Sequence, residues 1–240
     1  MLQGKRVLVR VDFNVPHHNG HIIDDFKMRA TLPTLEYLHH HGARSVLITQ
    51  FGEDQHRTTS GLARHLSELM RLPIGFVADC RGKKAQDAVA KLNDGDILML
   101  ENPRRFKGEV ENDPQFAKDI AVLGDMFVND SFGTSHRTHA AIVGVPKWLP
   151  SYAGLLMAHE LEALGGVMKN PKKPMVLLLG GAKVSTKISV IEKFLSEADH
   201  ILLGCVMANT FLKAHGYPIG LSVYDRNEIG RAQSLLSLKS

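Results

Sequence analysis

The sequence predicts a doubly wound α/β fold, with a Rossmann-like N-terminal domain on a parallel sheet and an incomplete second α/β nucleotide domain after it. Three observations carry this. Short aliphatic runs alternate with apolar residues at helical spacing through about residue 150. The runs are almost continuously apolar, as strands covered on both faces are. The same alternation restarts after Asn170-Pro171-Lys172-Lys173-Pro174, a polar break punctuated by proline.

Arg6–Val11 reads as a buried strand. Lys27–His41 carries Met28, Leu32, Leu35 and Leu38 at helical spacing, and Gly42 closes that helix before a strand at Ser45–Thr49. Ser60 is expected to cap a helix to Met70, followed by a strand at Gly75–Ala78, a helix over Lys83–Leu92 and a strand at Asp96–Leu100. Asp113-Pro114 is a cap with proline at the first helical position, opening a helix to Leu123. Met126–Asn129 is a further strand, and Ser151 is expected to cap a long helix to about Met168. Beyond the break come a strand at Met175–Leu179, a helix over Ser185–Leu195, a strand at His200–Leu203, a helix over Val206–Ala214 and a last helical stretch capped by Asp225. The expected organisation is a domain over 1–150, a connecting helix over 151–170 and a partial domain over 171–240.

Composition narrows the function classes. At 44% hydrophobic and 22% charged residues over 240 positions, the chain is neither disordered, fibrous nor membrane-spanning in character. Cys80 and Cys205 are the only cysteines and lie far apart, which speaks against a disulfide framework or a zinc cluster. No segment resembling a signal peptide precedes Lys5-Arg6, so a cytoplasmic protein with no membrane partner is expected. The net charge of +4 suits a nucleic-acid binder or an enzyme for small phosphorylated anions. No helix-turn-helix, RNA-recognition or zinc-finger signature appears, which turns the reading away from nucleic acid. His39-His40-His41 falls at a helix end and His17-His18 in a turn before Asn19-Gly20, positions of solvated histidines rather than metal ligands.

In doubly wound sheets ligands bind beyond the carboxyl ends of the strands. After the first strand, Asp12 and Asn14 either point into that cleft or form an Asx-turn. Arg29, Arg104 and Arg137, with His136 nearby, are expected to converge on one sheet edge, where guanidinium forks suit phosphate and carboxylate oxygens. Gly180-Gly181-Ala182-Lys183, ahead of an expected helix carrying Lys187, is either an ordinary turn or a phosphate cradle, and it matches neither the Walker A nor the dinucleotide spacing.

Together, the segments from Lys5 to Pro16, Glu101-Asn102 with Arg104, Gly133 to His139, Gly180 to Ser185 and Met207 to Phe211 resemble the phosphoglycerate kinase family in order and spacing. The resemblance covers essentially the whole chain. It implies a glycolytic hinge enzyme that moves a phosphoryl group between ATP and 3-phosphoglycerate, giving ADP and 1,3-bisphosphoglycerate, with Mg2+ on the nucleotide. It implies that Asp12, Phe13 and Asn14 hold the glycerate end and that Arg29, Arg104 and Arg137 hold phosphate and carboxylate. Arg29 and Lys183 would stabilise the transferring group, with Gly180, Gly181, Lys183 and Lys187 toward the nucleotide; no residue is assigned to metal. Such chemistry is positioning and charge stabilisation. The sequence departs from the family at Gln50 and Glu53, where substrate-binding histidine and arginine are usual, with Asp54 adding further charge. It departs again at Cys205-Val206, in a glycine-rich stretch, and at Thr186. No counterpart of the family's downstream magnesium-nucleotide loop follows. The expectation is therefore a monomer, unless a partner completes the second sheet, with impaired turnover. The alternative reading is a catalytically silent 3-phosphoglycerate-binding or scaffold protein, or a gene fragment.

Overall fold

Arg6–Arg10 forms the first strand, β1, in the computed structural model, which describes residues 2–18, 21–52, 56–169 and 171–238. Two compact units divide between Ala163 and Leu164.

In the first unit β1 is followed by a two-rung antiparallel hairpin, β2 (His17–His18) and β3 (His21–Ile22), where the sequence suggested only a turn; Asn19 and Gly20 lie outside the described residues. Then come α1 (Phe26–His40), β4 (Arg44–Ile48), α2 (Ser60–Met70), β5 (Ile74–Val77), α3 (Gly82–Ala90) and β6 (Ile97–Leu100). After these follow α4 (Lys107–Val110), α5 (Pro114–Ala121), β7 (Met126–Asn129), β8 (Ser151–Ala153) and α6 (Leu155–Lys169), within which the two units divide. Six strands form one parallel sheet in the order β5-β6-β4-β1-β7-β8. Period-2 alternation sends Leu8 of β1 to one face, among Phe116, Ile120, Phe127 and Ala140, and Val7 and Val9 to the other, among Met28, Leu35, Leu62 and Leu66. Arg10, an even position, therefore points to the same face as Leu8.

Helix ends follow their local chemistry, with two corrections. Gly42, at φ +69°, completes a Schellman motif after α1: its N–H reaches His39 O at 3.0 Å and Ala43 N–H reaches Leu38 O at 3.0 Å. Asp113 accepts from Phe116 N–H at 2.6 Å and caps α5 as expected. Ser60, by contrast, lies inside α2; Thr59 is the cap residue, and its hydroxyl donates to Leu100 O at 2.7 Å instead of serving the helix. Ser151 does not cap a helix either. It opens β8 on the edge of the sheet, and α6 starts at Leu155, where Thr34 Oγ1 accepts Leu155 N–H at 2.9 Å and Asp130 Oδ1 accepts Met157 N–H at 3.1 Å. The caps of α6 come from residues remote in sequence.

The second unit holds β9 (Val176–Leu179), α7 (Ile188–Phe194), β10 (His200–Leu203), α8 (Cys205–Ala214) and α9 (Ile229–Ser237). β9 and β10 pair in parallel, and Val184, Ile188, Ile191, Met207 and Leu235 form the core beside them. The opposite face of that pair carries Val176, Leu178 and Leu202, all exposed. The helix expected from Ser185 is a 3-10 turn over Val184–Thr186 and then α7, whose first turn has no side-chain cap. No helix among the described residues is long and apolar enough to cross a membrane.

Candidate functional site

The loops that follow β1, β4, β6 and β7 leave the carboxyl ends of adjacent strands, because β1 sits between β4 and β7 and β4 between β1 and β6. Side-chain amides staple them together. Asn14 Oδ1 accepts Gly52 N–H at 2.9 Å, joining the β1 and β4 loops. Asn102, fully buried after β6, donates to Phe51 O at 2.9 Å and accepts from Arg104 N–H at 3.2 Å. Asp12 forms the Asx-turn, accepting Asn14 N–H at 3.3 Å, while its other oxygen pairs with Lys27 Nζ at 2.9 Å. Phe13 is an anchor: its ring lies in the core and its N–H donates to Thr49 Oγ1 at 3.0 Å.

Arg104 and Arg137 come together around His139, together with His136 and Arg10. Burial lowers the His139 pKa, and the positive charges of Arg137, Arg104, Arg10 and His136 lower it further. Arg10 sits inside a strand-forming run, which masks it in the sequence. Its guanidinium is fully buried, and Nε and Nη1 have no hydrogen-bond partner. Burial lowers its pKa against the opposing pull of Glu109 and Asp12. The signal available in the sequence was a charged residue at a sheet-buried position of Arg6–Val11.

Arg29 does not join this group, which corrects the expected convergence of three arginines. On α1 it pairs with Asp25, four residues back, at 2.7 Å, and Asp25 also accepts from His65 Nε2 at 2.9 Å. The nearer carboxylate decides its direction.

The family-typical histidine position holds Gln50, which is buried and donates to Glu109 Oε1 at 2.8 Å; Glu53 and Asp54 lie outside the described residues. Glu109, fully buried, also accepts Ala141 N–H at 2.9 Å, and its pKa is raised by burial despite Arg10, that N–H, Gln50 and Arg104.

In the second unit, Gly181 adopts φ +114°, a backbone conformation that side-chain-bearing residues rarely take, so glycine suits the turn. Lys187 Nζ donates to Gly180 O, and Lys183 is exposed. Cys205 holds φ +55° at the start of α8, a left-handed conformation that suits glycine. Among the described residues no group of three or more His, Cys, Asp or Glu could hold a metal ion.

The family model described as "Phosphoglycerate kinase" matches residues 1–240. The chain is 44% identical over 242 residues to the phosphoglycerate kinase of Dictyoglomus turgidum, covering 99% of this chain and 61% of that protein. It is 45% identical to that of Moorella thermoacetica, covering 99% and 62%. Among solved structures it superposes on Coxiella burnetii phosphoglycerate kinase with a TM-score of 0.87 at 35% identity, covering 99% of this chain and 61% of that one. On the Pyrococcus horikoshii enzyme the TM-score is 0.88 at 32% identity, covering 98% and 63%. The chain thus spans a little over three-fifths of the length of these relatives, and with a family match along its full length it belongs to the phosphoglycerate kinase family.

Proposed function

We propose that the first unit binds 3-phosphoglycerate at the carboxyl ends of β1, β4, β6 and β7, and that the chain serves phosphoryl transfer between ATP and 3-phosphoglycerate in glycolysis. The observation that carries this is the strand-end cluster of positive charge: Arg10, fully buried with Nε and Nη1 lacking hydrogen-bond partners, lies among Glu109, Asp12 and Arg137, and Arg137 and Arg104 act on His139 beside it. A buried cation is costly, and an anion held by the partly exposed forks beside it would add a favourable charge. Arg104 and Arg137 offer forks for phosphate and carboxylate oxygens, and Asp12 and Asn14 offer acceptors for the glycerate hydroxyl. Arg29 can join by exchanging Asp25 for substrate.

In the second unit the bare backbone of Gly180-Gly181, with Lys183 and Lys187, suits nucleotide phosphates, so ATP or ADP with Mg2+ is the proposed second substrate. Magnesium would supply charge neutralisation on those phosphates. In the transfer, a C1 carboxylate oxygen of 3-phosphoglycerate bonds to the terminal phosphorus as the bond to the ADP oxygen breaks. Arg29 and Lys183 are the proposed stabilisers of the equatorial oxygens.

Calorimetric titration of 3-phosphoglycerate into the 240-residue chain tests the reading. Arg104→Ala and Arg137→Ala should each weaken binding by about tenfold or more, the worth of one charge-assisted hydrogen bond. Binding that neither substitution changes would place the ligand elsewhere.

A further inference from the structure

Gln50 occupies the centre of a buried polar chain. Its Nε2 lies 2.8 Å from Glu109 Oε1 and 2.5 Å from His139 Nδ1. Glu109 is completely buried and Gln50 and His139 nearly so. An amide nitrogen is a donor and nothing else, so both neighbours must accept from it. The opposite amide orientation would set a carbonyl oxygen against the Glu109 carboxylate, whose other oxygen already takes Ala141 N–H at 2.9 Å. Glu109 therefore orients Gln50, and Gln50 orients the imidazole.

We infer that Gln50 is a positioning residue of the anion site: it holds His139 as the neutral tautomer with Nδ1 bare and the hydrogen on Nε2. Nε2 has no hydrogen-bond partner among the described residues, and the ring keeps 8% exposure. The free N–H is thus offered to a ligand within the field of Arg10, Arg104, Arg137 and His136. The arginines oppose a charge on the ring, and Glu109, the carboxylate paired with it among the described residues, stands 4.0 Å from Nδ1 with the Gln50 amide bound to both. For the ring to take a second proton, Nδ1–H would have to face the Gln50 NH2, and the amide cannot turn without meeting Glu109. A histidine in place of Gln50 would itself titrate. Gln50 removes that step, so His139 donates to the anion in the same protonation state across the neutral range. The link to ligand binding rests on the proposed 3-phosphoglycerate site, whereas the tautomer does not.

Long-range 1H–15N correlation of the imidazole nitrogens in the uniformly labelled full chain, without ligand, reads the tautomer directly; His139→Gln assigns the signals. The expected result is an unprotonated Nδ1 and a protonated Nε2, unchanged from about pH 6 to about pH 8, on both sides of the ordinary imidazole pKa. Gln50→Met keeps the length and deletes the donor, and Glu109→Gln frees the amide to turn. In either variant the hold on the ring is lost: a fraction of His139 should carry its proton on Nδ1, and 3-phosphoglycerate should bind several-fold more weakly, while burial and the arginines still oppose a charge on the ring. A protonated Nδ1 in the wild-type chain overturns the inference. So does a wild-type tautomer in every variant that folds. Wild-type protein that shows the expected tautomer but binds no 3-phosphoglycerate would refute the proposed site alone.

Discussion

Glu101→Gln is predicted to destabilise the first unit by about 2–3 kcal/mol, although it changes one oxygen to nitrogen on a residue only 3% exposed. Oε1 accepts Asn102 N–H at 2.8 Å and Thr59 N–H at 2.9 Å, the latter at the start of α2. Oε2 accepts the Thr58 hydroxyl at 2.8 Å and Arg105 Nη1 at 3.0 Å. The carboxylate is thus the cap that Thr59 does not provide. With glutamine, two bonds to backbone N–H pass from charged to neutral, losing roughly 1 kcal/mol each. The amide NH2 then faces the Arg105 guanidinium, whose half-exposed pairing adds at most about 1 kcal/mol. Arg105→Met, as a control, should cost no more than that last part. Urea unfolding followed by fluorescence of Trp148, the chain's single tryptophan, reports this unit alone. Burial would raise the Glu101 pKa, but the Asn102 and Thr59 N–H groups, the Thr58 hydroxyl and Arg105 outweigh it and hold the carboxyl below its usual range. The unfolded chain therefore takes up the proton first as pH falls. The stabilisation is complete above the unfolded pKa of about 4.3 and is lost as pH drops through the folded value, so the penalty of Glu101→Gln should shrink in acid. A cost under about 0.5 kcal/mol at neutral pH, or a penalty equally large in acid, would refute the capping role.

Gly154→Ala should destabilise the first unit by about 1–3 kcal/mol in the same unfolding assay, because the added Cβ would stand 2.1 Å from Asp130 Oδ1 and push that carboxylate off the Met157 N–H. An unchanged midpoint would show that the β8–α6 corner relaxes freely. Cys205→Gly should stabilise the second unit by about 0.5–1 kcal/mol: relief of a left-handed non-glycine residue is worth roughly 1–2 kcal/mol, partly offset by the greater freedom of glycine in the unfolded chain. Slower local amide exchange over α8 checks this, and faster exchange would contradict it.

The parts of the fold legible in the sequence are those whose cause is local. Val7-Leu8-Val9 and the equivalent runs announce buried strands, and Gly42 and Asp113 act on chain neighbours. The misread positions are those whose partners lie far along the chain. Ser151-Tyr152-Ala153 is fully exposed and carries no strand pattern of its own; its pairing with Phe127, Val128 and Asn129 makes it a strand. Thr34 and Asp130 then set where α6 begins, and Glu101 does the same for α2. The same division runs through the site. Strand-end loops indicated Arg104 and Arg137, because topology alone brings those loops together. Arg29 sits on a helix, where a carboxylate one turn away redirects it, and Arg10 was hidden by the strand it helps to form.

The proposed anion site at the strand ends would make the stability measured for this protein depend partly on its solution. An anion bound to the folded state and absent from the unfolded one raises unfolding free energy by RT ln(1 + [L]/Kd), about 2.7 kcal/mol at a hundredfold excess over Kd. Phosphate or sulfate in a storage buffer would act as such a ligand, and a chloride buffer would do so far less. Two laboratories could report melting temperatures several degrees apart for the same chain and both be right. Comparisons among variants of the site are meaningful only when the buffer anion is held constant.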